Sequence, residues 1–211
     1  VRISVIVDSP DSWFIEYGRK LCQRLKGEHE VEFCSSLDQR EGDIAFLLSC
    51  ENIYTAEQLT LHKSNIVIHA GDLPKEKGWS PMTWRILQGI NEVVLSLFEA
   101  NTKVDSGKVY MKDKVVFNGD ELLTELREKL ADKILEMAVK YVSSYPMVGM
   151  AQEGEEGFYR RRTPSDSELD INKSIAEQFN LMRIVDNERY PLFFRINNQK
   201  YILKIAKAED E

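Results

Sequence analysis

The chain has 211 residues, with 28 Lys and Arg against 35 Asp and Glu, for a net charge of −7. This length fits one ordinary domain, or one domain with a small appendage, and 43% hydrophobic content is enough for a core. The acidic balance gives no support for nucleic-acid binding, which shows as a basic patch or stripe. No apolar run approaches the length of a membrane span. The run Ile3 to Val7 is too short for a signal peptide and ends at Asp8. Cys22, Cys34 and Cys50 form no Cys-x-x-Cys pair and read as reduced thiols of a cytoplasmic protein. With only His29, His62 and His69, scattered along the chain, no metal site is expected.

Arg2 to Val7 is a β-branched run that predicts a buried strand, and Asp8 to Ser12 a turn with N-cap residues. From Trp13 to Lys26 the apolar residues fall at helical spacing, and Gly27 ends the helix. Strands are predicted at Val31 to Phe33, Asp43 to Leu48 and Asn65 to Ile68, with a short helix over Thr55 to His62. This alternation is the signature of a parallel α/β sheet. In such sheets ligands bind beyond the carboxyl ends of the strands, here Asp8 to Trp13, Ser49 to Asn52 and His69 to Asp72. The first of these loops has Ser and Asp where a dinucleotide fold carries its glycines, so a nicotinamide or flavin cofactor is not expected.

Pro81 to Gly89 predicts a helix that packs Trp84, Ile86 and Leu87. Val93 to Phe98 and Lys108 to Met111 read as strands, Phe117 to Gly119 as a turn, and Asp120 to Tyr145 as one long amphipathic helix. Composition changes after Tyr145, which divides the chain into residues 1–145 and an extension, 146–211. Met150 to Gly157 is acidic and reads as a mobile link; Phe158 to Pro164 is basic and aromatic. A helix is expected over Ser174 to Met182. Two short strands flank Asn197-Asn198 as a hairpin, which either covers the sheet edge or pairs with a second copy to make a homodimer.

The chemistry-bearing stretch runs from Asn65 to Gly107. A strand delivers His69 into a loop punctuated by Gly71, Pro74, Gly78 and Pro81, and an Asp105-Ser-Gly107 turn follows. A strand-end histidine can serve as a general base near neutral pH, and a nearby carboxylate would orient it. From spacing alone, a capped strand-end histidine and a plain turn aspartate explain the same residues.

His69-Ala-Gly-Asp-Leu-Pro74, Gly78-Trp-Ser-Pro81, Trp84, Gly89 and Asp105-Ser-Gly107 together resemble the 10-formyltetrahydrofolate-dependent formyltransferases. Residues 1–145 follow that family's order of elements, and Leu181-Met-Arg183, Tyr190-Pro191 and Lys200 to Lys204 match its accessory C-terminal region more loosely. The resemblance implies a Rossmann-like, mostly parallel sheet with flanking helices, plus a small appendage of helix and β-hairpin. A methionyl-tRNA formyltransferase is expected to be longer and to carry a basic surface. The compact sugar N-formyltransferases are the nearer variant. The run Asp72-Leu-Pro-Lys75…Lys77-Gly-Trp-Ser-Pro81, with Leu97-Phe-Glu99 before the turn, resembles those acting on a UDP-linked 4-amino-4,6-dideoxy sugar, which serve bacterial surface-sugar pathways of the pseudaminic acid type.

The resemblance implies that His69 and Asp105 are catalytic. It implies that Ser49, Leu73 and Pro74 border the folate pterin. The substrate needs cations for two phosphates and flat surfaces for its base. Lys75, Lys77 and the run Arg160-Arg161-Arg162 are candidates for the first, and Tyr159, Tyr190 and Phe193 for the second. The arginine run reads equally as a solvated loop, Trp84 as core, Trp79 as a wall of the site, and Glu99 as either a hydroxyl contact or a solvated strand residue. One position departs from the family pattern. The catalytic asparagine of the family sits two residues before the histidine, and here that residue is Val67. Asn65 faces the same side of the strand but lies about 13 Å from His69. That departure keeps open a non-catalytic binding module for folate or nucleotide-sugar on the same fold.

Overall fold

The computed structural model describes residues 1–37 and 41–208. β1 (Arg2–Ile6), α1 (Ile15–Leu25), β2 (Glu30–Cys34) and β3 (Gly42–Leu47) follow in turn. α2 (Ala56–Leu59) is a single turn closed by a Thr55–Gln58 capping box, shorter than the helix expected over Thr55 to His62. β4 takes up the difference and runs the full His62–His69. β5 (Lys77–Gly78), α3 (Pro81–Leu87), β6 (Glu92–Glu99), β7 (Val109–Val116) and the long α4 (Leu123–Ser143) complete the part up to residue 145.

The strands form one sheet in the order β2-β1-β3-β4-β6-β7. The first four are mutually parallel, and β6 runs antiparallel to both β4 and β7. This is the expected mixed, mostly parallel sheet with flanking helices. Side chains alternate across it as the two-residue period requires. Ile3, Val5, Ile44, Phe46, Ile66 and Leu95 face α1 and α4 in the larger core. Ile6, Ala45 and Leu47 face the other way into a smaller one with Leu37 and Tyr54, against which Val67 packs. The buried stripe of α4, Leu126, Leu130, Ile134, Ala138 and Tyr141, steps by four residues and then three, the spacing of one helix face. Each large aliphatic side chain in it contributes about 1.5–3 kcal/mol of burial.

After α4 the chain returns across the sheet. β8 (Phe158–Tyr159) pairs in parallel with β5. The helix expected at Ser174 to Met182 is a 3-10 turn at Ala176–Gln178 followed by α5 (Phe179–Arg183). β9 (Leu192–Ile196) and β10 (Gln199–Leu203) form the expected hairpin around Asn197 and Asn198, both at positive φ as a two-residue turn demands. It is a separate two-stranded sheet and adds no strand to the central one. Arg183, fully buried, fastens α5 to the sheet: it donates to Asn91 Oδ1 at 2.8 Å and to the Glu121 carbonyl at 3.1 Å, with the Glu121 carboxylate 3.3 Å away.

The stretch Met150 to Gly157 is fastened at several points, contrary to the link expected from its composition. Met150 exchanges backbone hydrogen bonds with Val109. The Gln152 amide donates to the carbonyls of Asp105 and Gly107 at 3.0 and 2.9 Å. Glu156 takes the ammonium of Lys77 at 2.5 Å. Among the described residues, no helix is long and apolar enough to cross a membrane.

Candidate active site

The carboxyl ends of β1, β3 and β4 open onto one cleft of about 560 Å³, as the parallel topology predicts. Its rim is tied by short-range polar contacts. Asp8 accepts from the backbone N–H groups of Glu51 and Asn52 at 2.9 Å each, and the Ser12 hydroxyl donates to Ser49 at 3.2 Å. Ser49, Ser80 and Asp105 all line the cleft with φ between +48° and +55°. Left-handed backbone at non-glycine residues costs energy and collects at functional sites.

His69 ends β4 and Asp105 sits in the turn after β6. Their Nδ1 and Oδ2 atoms are 3.9 Å apart, with only 10% and 13% of the side chains exposed. The backbone N–H of Gly78 donates to the same Oδ2 at 2.8 Å. The ring's other nitrogen, Nε2, lies 2.6 Å from the carbonyl oxygen of Glu76. Because a carbonyl only accepts, Nε2 carries the proton and Nδ1 presents a lone pair towards Asp105. The Asp105 turn lies flat on the sheet: a Cβ at Gly107 would collide with the Glu99 carbonyl oxygen.

Of the residues singled out in the sequence, Ser49, Val67, His69, Trp79, Asp105, Arg161, Arg162 and Tyr190 line the cleft. The others lie elsewhere, for definite reasons. Leu73 is 2% exposed, its N–H held by Ser96 Oγ at 3.2 Å, and Pro74 receives the Gly157 N–H on its carbonyl. Leu73 is held by the central sheet and Pro74 supports the returning chain, and neither lines the cleft. Lys77 is spent on Glu156, and Lys75 is exposed outside the cleft. Glu99 is half-buried and accepts from the Asn65 N–H at 2.6 Å and the Tyr110 hydroxyl at 2.7 Å, and burial raises its pKa. Tyr159 stacks on Trp84 at 6.0 Å and nearly parallel, and the Arg160 guanidinium also lies over the Trp84 ring at 4.9 Å. Trp84 is therefore half-buried in a stack and not in the core. Phe193 is buried beneath Arg195 and Lys200.

Val67 lines the cleft, flanked by Leu47, Phe98 and Ala100, so the wall beside His69 is apolar. The amide of Asn65 is 4% exposed and donates to the Leu59 carbonyl, away from the site. The Cys50 thiol also lines the cleft, but burial pushes it up to about 12, so it is not a nucleophile. The charged lining is five cations, Lys103, Arg127, Arg161, Arg162 and Arg189, against three carboxylates, Glu51, Asp105 and Asp186. Arg127 pairs with Asp186 at 3.2 Å; Arg161 lies over Trp79 at 4.4 Å and reaches Glu51 at 3.1 Å. Arg162 and Arg189 donate to the main-chain carbonyls of Asp166 and Asp11. Burial lowers the pKa of Arg162, yet a guanidinium stays charged in proteins. Neither Arg127 nor Arg189 is legible as a site residue in the sequence, since their partners lie far along the chain.

A strand-end histidine backed by a turn carboxylate, at the carboxyl ends of a mixed sheet, is the equipment of an enzyme that moves a proton on a bound ligand. Residues 9–142 match the family described as Formyl transferase, and the chain belongs to that family of formyl-transferring enzymes. Solved structures share the fold. A methionyl-tRNA formyltransferase from Clostridium thermocellum is 19% identical with a TM-score of 0.81, the match covering 99% of this chain and 93% of that one. A sugar N-formyltransferase from a Shewanella species is 11% identical with a TM-score of 0.68, covering 100% and 99%. HypX from Aquifex aeolicus in complex with tetrahydrofolic acid is 17% identical with a TM-score of 0.74, covering 100% of this chain and 38% of that one. Length does not separate this chain from the tRNA-directed enzyme, contrary to the expectation above.

Proposed function

We propose that the protein moves a formyl group from 10-formyltetrahydrofolate to the amine of a nucleotide-linked sugar, with a UDP-linked 4-amino-4,6-dideoxy sugar as the acceptor. The observation that carries this reading is the reversal of charge in the cleft: five cations to three carboxylates, in a chain of net charge −7. A diphosphate is drawn to such a surface, and guanidinium groups match its oxygens. The wall of Leu47, Val67 and Ala100 beside exposed main chain suits a flat pterin ring. When bound, the folate supplies the formyl group. The sugar nitrogen bonds to the formyl carbon, the bond from that carbon to the folate nitrogen breaks, and one proton passes from the amine to that nitrogen.

His69 takes the amine proton on Nδ1, the nitrogen left free by the Glu76 carbonyl. Asp105 supplies the counter-charge to the resulting imidazolium. Both groups are held by backbone contacts before substrate arrives, so little reorganisation accompanies the step. Arg162 and Arg189 bind the diphosphate, while Trp79 and Tyr190 bound the sugar and base. The test is incubation with 10-formyltetrahydrofolate and a UDP-linked 4-amino sugar, followed by mass spectrometry of the sugar. A product heavier by one carbonyl unit is expected, lost in His69→Ala. Absence of transfer to any nucleotide-linked amino sugar overturns the substrate reading. Formylation of a charged tRNA instead would redirect it to the tRNA-directed class.

A further inference from the structure

We infer that Glu76 is a positioning residue for His69: a buried carboxylate that holds its own carbonyl against Nε2 and so fixes which imidazole nitrogen is basic. Glu76 is 7% exposed. Its two carboxylate oxygens are both used. Oε1 receives Arg85 Nη1 at 2.5 Å and Oε2 receives the Asp72 N–H at 2.8 Å. Arg85 is itself held, donating from Nε to the Glu92 carbonyl at 2.9 Å. The loop is thus pinned to α3 on one side and to its own start on the other. This places the Glu76 carbonyl 2.6 Å from Nε2. Gly71 leaves room for the contact: a Cβ there would meet Glu76 O at 2.5 Å and His69 Nε2 at 2.8 Å.

A histidine tautomer is set by what its other nitrogen bonds. With Nε2–H engaged, Nδ1 is the acceptor and faces Asp105. The charged groups facing this loop are Asp105 from the turn after β6, Arg85 from α3, and Asp72 with Lys112 of β7 at 2.6 Å. Releasing the Glu76 side chain frees the carbonyl, and the ring then populates both tautomers. The rate arm of the test rests on the formyl-transfer reading. The spectroscopic arm does not.

The experiment is 15N NMR of the histidine rings at a pH above their titration, with His69 assigned through His69→Gln, alongside steady-state kinetics. Wild type is expected to show His69 protonated on Nε2. Glu76→Ala is expected to show a mixture, with kcat lower by about 10- to 100-fold, as displacement of a catalytic group by about 1 Å produces, and both KM values within about twofold of wild type, since no substrate contact is removed. Glu76→Gln keeps one acceptor and sets its NH2 group against either Arg85 or the Asp72 N–H, so it is expected to fall between wild type and Glu76→Ala in both rate and tautomer. Should Glu76→Ala fail to fold, Arg85→Lys and the wild-type spectrum carry the test. A wild-type ring protonated on Nδ1 overturns the inference. So does a folded Glu76→Ala protein with wild-type tautomer and kcat. A wild-type Nε2–H ring in a protein without transferase activity leaves the positioning intact and fails only the proposed function.

Discussion

Asp105→Asn isolates the charge of the pair from its geometry. The asparagine keeps an oxygen that can accept the Gly78 N–H, now received by Oδ2 at 2.8 Å, so the loop stays closed. What is lost is the counter-charge 3.9 Å from Nδ1. Two unit charges at about 4 Å attract by about 4 kcal/mol at an effective dielectric of about 20. The wild-type carboxylate has already given up part of its hydration, and bound substrate is polar, so roughly half of that survives as transition-state stabilisation. A loss of about 2 kcal/mol lowers kcat about 30-fold. The assay is kcat at saturating concentrations of both substrates, with Tm measured in parallel. A kcat within about threefold of wild type at unchanged Tm refutes the role given to Asp105, as does a loss confined to KM.

Arg162→Ala and Arg189→Ala each remove a cation from the cleft without touching His69. Each is expected to raise KM for the nucleotide sugar about tenfold, consistent with about 1.5–3 kcal/mol for a charged hydrogen bond, while KM for the folate holds; calorimetry with UDP alone should show the same weakening. Gly107→Ala forces a methyl against the Glu99 carbonyl and is expected to cost about 1–3 kcal/mol of stability, read as a lower Tm. His62 bonds to Ser4 Oγ at 2.9 Å inside the sheet, and burial lowers its pKa below the ordinary value of 6.5. Its neutral form is thus favoured in the fold. Its stability contribution is complete above about pH 6.5 and shrinks as pH falls below it, because the unfolded chain binds the proton first. Thermal unfolding from pH 7.5 to 5 is expected to show that slope, and His62→Gln to flatten it.

The fold was largely legible because its strands are β-branched runs with helices between them, and Asn197-Asn198 marks its own turn. His69 and Asp105 were legible through the motifs around them and come together as expected. The failures have a common cause. Lys77 reads as a free cation because Glu156 lies 79 residues away. Leu73-Pro74 reads as a wall of the site, but Ser96 on β6, Lys112 on β7 and the distant Gly157 N–H claim its backbone groups. Trp84 has the spacing of a core residue, yet Tyr159 and Arg160 arrive from the other end of the chain to flank it. Periodicity records which face of an element is buried. It carries no information about which distant polar group will claim a lysine or a carbonyl.

The fastening of residues 150–159 bears on the order in which the site comes into being. Gln152 supports the turn that holds Asp105, and β8 supplies the partner strand for β5, next to the Gly78 N–H that orients the same carboxylate. A nascent chain that has emerged only as far as α4 possesses every strand of the central sheet and both members of the His69–Asp105 pair. It still lacks Gln152 and β8, which brace the Asp105 turn and β5. These braces arrive late in synthesis, on the same segment that contributes Arg161 and Arg162 to the cleft. A substitution that loosens that segment therefore reaches the Asp105 turn and the cationic side of the cleft together.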